Sequence, residues 1–398
     1  MSLISVKEAT SIVLNHSQDF GDEMVPLSQS LCRILKELIV ADRDFPPFDR
    51  VSMDGIAICK ASFDIGLRSF FIVNIQAAGS EQLSLKNIEN CMEAMTGAIL
   101  PKNTNAVIPY EQITIENGIA TINLDEVNHF KNVHPQGFDQ QKGTLLIDKN
   151  TKIGASEIGI LATVGKNMVK VGKLPKIAII STGDELVNVD EIPKSYQIRK
   201  SNSHTLAALL AEMKLESTLF HLKDNQVELF HNIKNLLKEF DVLLFSGGVS
   251  KGKFDYLPEV LTNLAVEKLF HSVQQKPGKP FWFGKKEHTT IFAFPGNPVA
   301  TFLNFIKYFK PWYYKSMGLN VENQAWAVLE EDFIFKANLT YFLQVKISNK
   351  NGTLFAKPIM GNGSADLVNL IAADGFLELN AEQTEFKKGS VLPYLPYR

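Results

Sequence analysis

Four short segments in the middle of the chain carry residues suited to holding an anion beside a cation. They are Ser181-Thr182-Gly183-Asp184-Glu185, Lys223-Asp224-Asn225, Ser246-Gly247-Gly248-Val249-Ser250 with Asp255 just beyond, and Pro295-Gly296-Asn297-Pro298. Glycines let backbone N–H groups approach an anion because no Cβ intervenes. Asn297 is placed to cap the following helix with Pro298 at its first position, which would aim the positive helix end at the same anion. Glu185, Asp224 and Asp255 are carboxylates on the same edge, and two of them about 4 Å apart repel by about 4 kcal/mol at an effective dielectric of about 20. Clustering them calls for a shared proton or a cation; beside phosphate the simplest cation is Mg²⁺. Any one segment is explained as a tight turn, and Asp224 equally well as a helix cap. Several on one edge point to a ligand site. Lys276-Pro277-Gly278-Lys279-Pro280 is a separate basic element, whose two prolines restrict the backbone and confine two ammonium groups to one region, as suits a small oxyanion.

The elements around these segments say how they are brought together. Ile177-Ala178-Ile179-Ile180 and Val242-Leu243-Leu244-Phe245 are short apolar runs, as expected of parallel strands buried on both faces. Thr218-Leu219-Phe220 and Ile291-Phe292-Ala293-Phe294 are further strands. Between them, Leu206, Leu209, Leu210 and Met213, then Phe230, Ile233, Leu237 and Phe240, and later Val299, Phe302, Leu303 and Ile306 repeat at helical spacing. This alternation predicts a central three-layer α/β/α domain on a parallel sheet, with ligands at the carboxyl ends of its strands. Upstream, residues 1–40 read as helix, opened by a capping box at Ser5 to Glu8 and including a second helical stretch over 27–39. Phe45-Pro46-Pro47-Phe48-Asp49 forces extended backbone, and strand signals dominate to about Gly172, among them Phe70 to Ile75 and Ile119 to Leu124. After about Trp312 helical periodicity stops; Tyr341 to Ile347 and Leu354 to Pro358 predict a small β domain.

With 398 residues, the chain is long enough for two or three domains, and 45% hydrophobic with 21% charged residues is a globular balance. A net charge of −2 gives no general attraction to nucleic acid or to an anionic membrane. Cys32, Cys59 and Cys91 are far apart and odd in number, which disfavours a disulfide framework or a cysteine zinc site and suits a reducing compartment, read here as the cytoplasm. No apolar run approaches a membrane span, and nothing before Phe20 resembles a signal peptide. The histidines show no metal-ligand spacing, and the phenylalanine stripes read as core.

Eight strings in order resemble the MoeA family of molybdopterin molybdenumtransferases, which is related to the E domain of gephyrin. They are Ser52-Met53-Asp54-Gly55, Thr96-Gly97-Ala98, Ser181 to Leu186, Ile198-Arg199-Lys200-Ser201-Asn202, Ser246 to Ser250, Lys276 to Pro280, Pro295 to Val299 and Gly363-Ser364. The resemblance implies a multidomain α/β and β subunit: a helical and β N-terminal domain from 1–40 and 141–172, a β domain inserted at 41–140, the α/β molybdopterin-binding domain at 173–318 and a C-terminal β-barrel at 319–398. It implies a homodimer whose cleft lies between the α/β domain of one subunit and the inserted domain of the other. The implied reaction inserts molybdate into adenylylated molybdopterin (molybdopterin-AMP) and releases AMP, with Mg²⁺ as helper. By matched position Asp54, Thr96, Asp139, Glu185, Asp224 and Asp255 form the catalytic set, with Glu185, Asp224 and Asp255 toward the metal. Thr182, Gly183, Asp184, Ser246, Gly247, Gly248, Ser250, Pro295, Gly296 and Asn297 would hold the nucleotide-bearing ligand, and Lys276, Lys279 and Ser364 would face molybdate. An upstream adenylyltransferase and molybdoenzyme apoproteins are the implied partners.

The chain departs from the family pattern in places. His134 and Gln136 precede Asp139 where arginines are usual; Leu339, Tyr341 and Gln344 stand where Arg, Glu and Arg are common; Ala300 replaces a serine. Glutamine does not replace a bidentate arginine contact. Lys251 and Lys253 add charge beside the glycine loop and would compensate in part. Two other functions fit less of the chain. A molybdopterin adenylyltransferase or CinA-like enzyme would share only the strings between Lys176 and Phe305, and a non-catalytic molybdopterin carrier or scaffold would keep the fold without turnover.

Overall fold

A computed structural model describes residues 3–250, 255–320, 324–361 and 363–398. The chain forms two compact units, one from 1–24, 32–36 and 170–398, the other from 25–31 and 37–169.

The first unit is built on a six-stranded sheet. Its order is Ser217–Leu222, Ile177–Thr182, Val242–Ser246, Thr289–Phe294, Trp282–Lys286 and Glu267–His271. The first four strands are parallel, in a register that sets Ile177 beside both Ser217 and Val242. Alternation along the strands divides the core. Ile177, Ile179, Val242 and Leu244 pack with the helices Asn202–Glu212 and Pro298–Asn304, while Ala178, Ile180, Leu243 and Phe245 pack with Gln226–Glu239 and Leu257–Asn263. Both faces are therefore covered, as the apolar runs require. The sheet is not wholly parallel: Trp282–Lys286 and Glu267–His271 add an antiparallel edge. Their Lys and Glu content and the intervening proline loop hid them from pattern reading. The helix begun at Pro298 continues through a wide turn at Phe305–Phe309 into Lys310–Ser316, past the expected stop at Trp312.

Downstream, five strands close on themselves. Thr340–Lys350 pairs with Thr353–Pro358 and with Gly375–Leu379; Ala325–Leu329 joins Thr353–Pro358 to Val391–Pro396, which returns to Gly375–Leu379. This is the expected barrel, and closure leaves it no free edge.

The second unit carries its own six-stranded sheet, ordered Ala106–Pro109, Gly55–Ile58, Asn90–Ala94, Ser69–Gln76, Ile119–Ile122 and Ile113–Glu116. Gly55 is obligatory, since a Cβ there would lie 2.0 Å from the Ile108 carbonyl oxygen across the ladder.

The helix expected over 27–39 is absent. Only one turn forms, at Leu27–Gln29, and Cys32 takes a positive φ of 68°, which ends any helix. Beyond it, Leu35 bridges to Val171 and Ile39–Val40 pairs with Leu145–Ile147. The apolar spacing there serves burial in extended chain rather than a helical face. The first helix, Val6–Asn15, is as expected, with the Glu8 N–H donating to the Ser5 hydroxyl at 3.1 Å. Among the described residues no helix is long and apolar enough to cross a membrane.

Candidate functional site

The parallel strands end together, and their loops form one wall of a cavity of about 580 Å³. Ser181, Thr182, Gly183 and Glu185 come from the first loop, Asp224 from the second, Ser246 to Ser250 with Asp255 from the third, and Pro295 to Pro298 from the fourth. Gly247 and Gly248 have φ of 100° and 70°, a region open to glycine at no steric cost. Their missing side chains matter as well. A Cβ at Gly248 would lie 2.8 Å from the Thr182 hydroxyl, which is buried and has no partner among the described residues.

Asp224 feels the carboxylates around it. Burial raises the Asp224 pKa first, and the neighbouring charges of Asp184, Glu185 and Asp255 add to the rise. Asp184 stands outside the cavity lining and accepts the Asp224 N–H at 3.3 Å. No group of three or more Asp, Glu, His or Cys side chains among the described residues is gathered closely enough to cage a metal.

Four further lining residues come from a segment that the sequence matched to the family without a site role. Arg199, Lys200, Ser201 and Asn202 line the cavity, and Asn202 ties two loops together by donating to the Ser246 hydroxyl at 2.9 Å and to the Gly296 carbonyl at 2.7 Å. They lie at the entry to the helix Asn202–Glu212, so this segment bridges the ligand loops. His221 is bonded to the Ser181 hydroxyl at 3.2 Å; burial, then the charge of Lys200, lowers its pKa.

A second cavity of about 330 Å³ shares Pro280, Pro295 and Asn297 with the first. Lys276, Lys279 and Ser364 line it together with Gln344, Tyr341 and Leu339. Asn297 occupies the expected cap position but does not cap. Its amide donates instead to the Ser364 hydroxyl at 2.7 Å, while the Val299 N–H donates to the Ser364 carbonyl at 3.1 Å. One N–H of the helix end is thus engaged by the chain itself. Beneath the lysine loop lies a buried amide network. Gln275 donates to the Asn304 amide oxygen at 2.8 Å and to the Pro277 carbonyl at 3.0 Å, and the Tyr308 hydroxyl donates to Gln275. Gln275 and Asn304 are wholly buried in a Phe-rich core, and no local pattern in the sequence marks them.

Asp54, Thr96 and Asp139 lie in the second unit. Asp54 accepts from the Thr96 N–H at 2.6 Å and the Thr96 hydroxyl at 2.7 Å, and these two bonds lower its pKa. Tyr110 and Glu93, bonded at 2.8 Å, adjoin this corner, and burial followed by the Glu93 contact raises the Tyr110 pKa. Asp139 is exposed, with its N–H on the Phe45 carbonyl at 2.8 Å. Gln136 donates its side-chain amide to Asp44 at 3.0 Å and its N–H to Asp49 at 2.8 Å, a local role. Lys251 and Lys253 lie outside the described residues.

Three family models cover this chain in sequence. Residues 4–165 match the MoeA N-terminal region (domain I and II), 178–314 a probable molybdopterin binding domain and 327–397 the MoeA C-terminal region (domain IV). A molybdopterin molybdenumtransferase of Synechocystis sp. is 39% identical over 397 residues, 98% of this chain and 99% of that one. One from Bacillus subtilis is 30% identical, across 99% and 94% of the two chains. The chain belongs to the MoeA family. Its fold is also MoeA-like. A crystal structure of a molybdopterin biosynthesis MoeA protein from Pyrococcus horikoshii superposes with a TM-score of 0.85 at 28% identity, covering 100% of both chains. As a MoeA-family member the chain is a transferase of molybdenum cofactor biosynthesis.

Proposed function

We propose that the chain inserts molybdenum from molybdate into adenylylated molybdopterin and releases AMP. The observation that carries this is the pair of cavities with a common wall. One is lined by glycine loops and carboxylates, the other by lysines and a serine hydroxyl, with Pro280, Pro295 and Asn297 between them. A nucleotide-bearing ligand in the first and an oxyanion in the second would meet at that wall, which converts their encounter into an intramolecular one. In this reading the Gly247-Gly248 loop and Ser250 hold the phosphates, with Thr182, Gly183 and Ser246 beside them and Arg199 and Lys200 in the same lining. Lys276, Lys279 and Ser364 hold molybdate by charge and hydrogen bonding. Glu185, Asp224 and Asp255 would hold Mg²⁺, which when bound offsets the pyrophosphate charge. Glu185 and Asp255 also orient the water that attacks the adenylate. In the implied dimer Asp54 and Asp139 complete the acidic set across the subunit boundary, with Thr96 at the same cleft, and the double donation from Thr96 keeps Asp54 ionised and fixed. The four-part domain division, the homodimer, the cytoplasmic setting and the exchange with an adenylyltransferase and molybdoenzyme apoproteins belong to the same proposal.

The test is AMP release from protein loaded with adenylylated molybdopterin and Mg²⁺, with and without molybdate. Molybdate-dependent release that is lost in Glu185→Ala and Asp255→Ala is the expected result. Tight binding of the adenylate with no release under any condition would overturn the reading in favour of a carrier.

A further inference from the structure

The lysine pocket has an unusual source of order on its barrel side. The short strand Gln275–Lys276 pairs in parallel with Thr340–Lys350, in a register that sets Lys276 opposite Tyr341. Cross-strand neighbours of this kind bring side chains into contact. The Tyr341 ring is stacked with Phe335 at 4.4 Å between centroids and 12° between planes, and Phe333 lies parallel to it at 5.8 Å. The Lys276 ammonium sits 5.7 Å from the Phe335 centroid and 5.9 Å from that of Tyr341. Both distances are within the range, about 6 Å, over which a ring face attracts a cation.

The alternative way to fix a lysine is a carboxylate, and none is used here. The ion pairs among the described residues engage neither Lys276 nor Lys279. The pocket wall contributed by the barrel, Leu339, Tyr341 and Gln344, is uncharged. Burial raises the Tyr341 pKa, so its phenol stays neutral. A carboxylate would hold the ammonium as well, but it would cancel its charge and repel an incoming dianion. A ring quadrupole attracts the ammonium and leaves its net charge intact.

We propose that Phe335 and Tyr341 are positioning residues for Lys276, holding its ammonium at the second cavity with its full charge available to a tetrahedral oxyanion. This deepens the reading of that cavity as the molybdate site and rests on it.

The experiment is calorimetric titration of the full-length protein with sodium molybdate alone, paired with the molybdate dependence of AMP release. The variants are Lys276→Ala, Phe335→Leu, Tyr341→Leu, Tyr341→Phe and Tyr341→Glu. Loss of either ring is expected to weaken molybdate binding about two- to fivefold, the yield of one cation–ring contact at a partly exposed site. The loss should fall on KM for molybdate and leave kcat at saturation little moved. Tyr341→Phe keeps the face and should restore affinity, which a role confined to packing or to the hydroxyl does not predict for the set as a whole. Tyr341→Glu should bind molybdate no better than Tyr341→Leu, although it can pair with Lys276. If Lys276→Ala loses binding while both leucine variants and the glutamate variant bind as the unaltered protein does, the positioning role is wrong and the oxyanion pocket stands. If Lys276→Ala itself binds molybdate unchanged, the pocket reading fails and this inference with it.

Discussion

Gly278 offers a test of the lysine loop that does not depend on the ligand. Its φ is 90°, and a Cβ there would lie 2.8 Å from the Asn304 amide nitrogen, 2.9 Å from that of Gln275 and 3.1 Å from the Asn304 amide oxygen. Side-chain ends usually yield cheaply. These two are fully buried and bonded to each other at 2.8 Å, so they have nowhere to go without breaking that bond. Gly278→Ala therefore combines a left-handed backbone penalty of about 1–2 kcal/mol with about 1–3 kcal/mol for a buried polar group left unsatisfied. Gly352→Ala is the control, since Gly352 has a φ of 86° with nothing within 4 Å and carries the backbone penalty alone. Unfolding of several domains is not all-or-none, so a local measurement is needed besides the fluorescence of the buried Trp282 and Trp312. Hydrogen exchange at Val273 supplies it, because its N–H closes the loop on the Lys279 carbonyl at 2.9 Å. The extra 1–3 kcal/mol corresponds to exchange faster by about 5- to 150-fold, relative to a 1.4 kcal/mol decade. If Gly278→Ala destabilises no more than Gly352→Ala and Val273 exchange is unchanged, the amide network does not hold the loop.

The acidic edge and the loop bridge give two further expectations. The Asp224 pKa is raised above the ordinary 3.8, so the folded protein holds this proton more tightly than the unfolded chain and stability falls as pH rises through the raised value. Asp224→Asn should thus melt higher than the unaltered protein at neutral pH, with the gap closing toward pH 3.8, and Mg²⁺ should raise the melting temperature of the unaltered protein more than that of the variant. Equal responses to pH and to Mg²⁺ would refute the charge cluster. Asn202→Ala removes two hydrogen bonds between ligand loops, worth about 1 kcal/mol each; adenylate affinity measured by equilibrium dialysis should fall by up to about 30-fold, and an unchanged value would mean that Ser246 and Gly296 are held by other contacts.

Much of this protein can be read from its residue types and their order. The apolar runs at Ile177 and Val242, the helical spacings between them and the glycine and acid segments at their ends are local properties, and local chemistry is visible in a string. They predicted the α/β domain, and the structure places Thr182, Glu185, Asp224, Gly247 and Asp255 around one cavity. The order of eight strings was enough to reach the MoeA family. Other features were decided only in three dimensions. The 27–39 segment has helical spacing, yet its apolar residues are buried by pairing with distant extended chain, so tertiary contact overrode a local pattern. Asn297 has the residue type and position of a cap, but Ser364, distant in sequence, claims its amide. Asn202 lies beyond any pattern that could show it reaching both Ser246 and Gly296. The register that sets Lys276 opposite Tyr341 joins two domains, and no spacing encodes it. A side chain's type sets the bonds it can make; which neighbour receives them depends on how the sheet ends and the barrel meet.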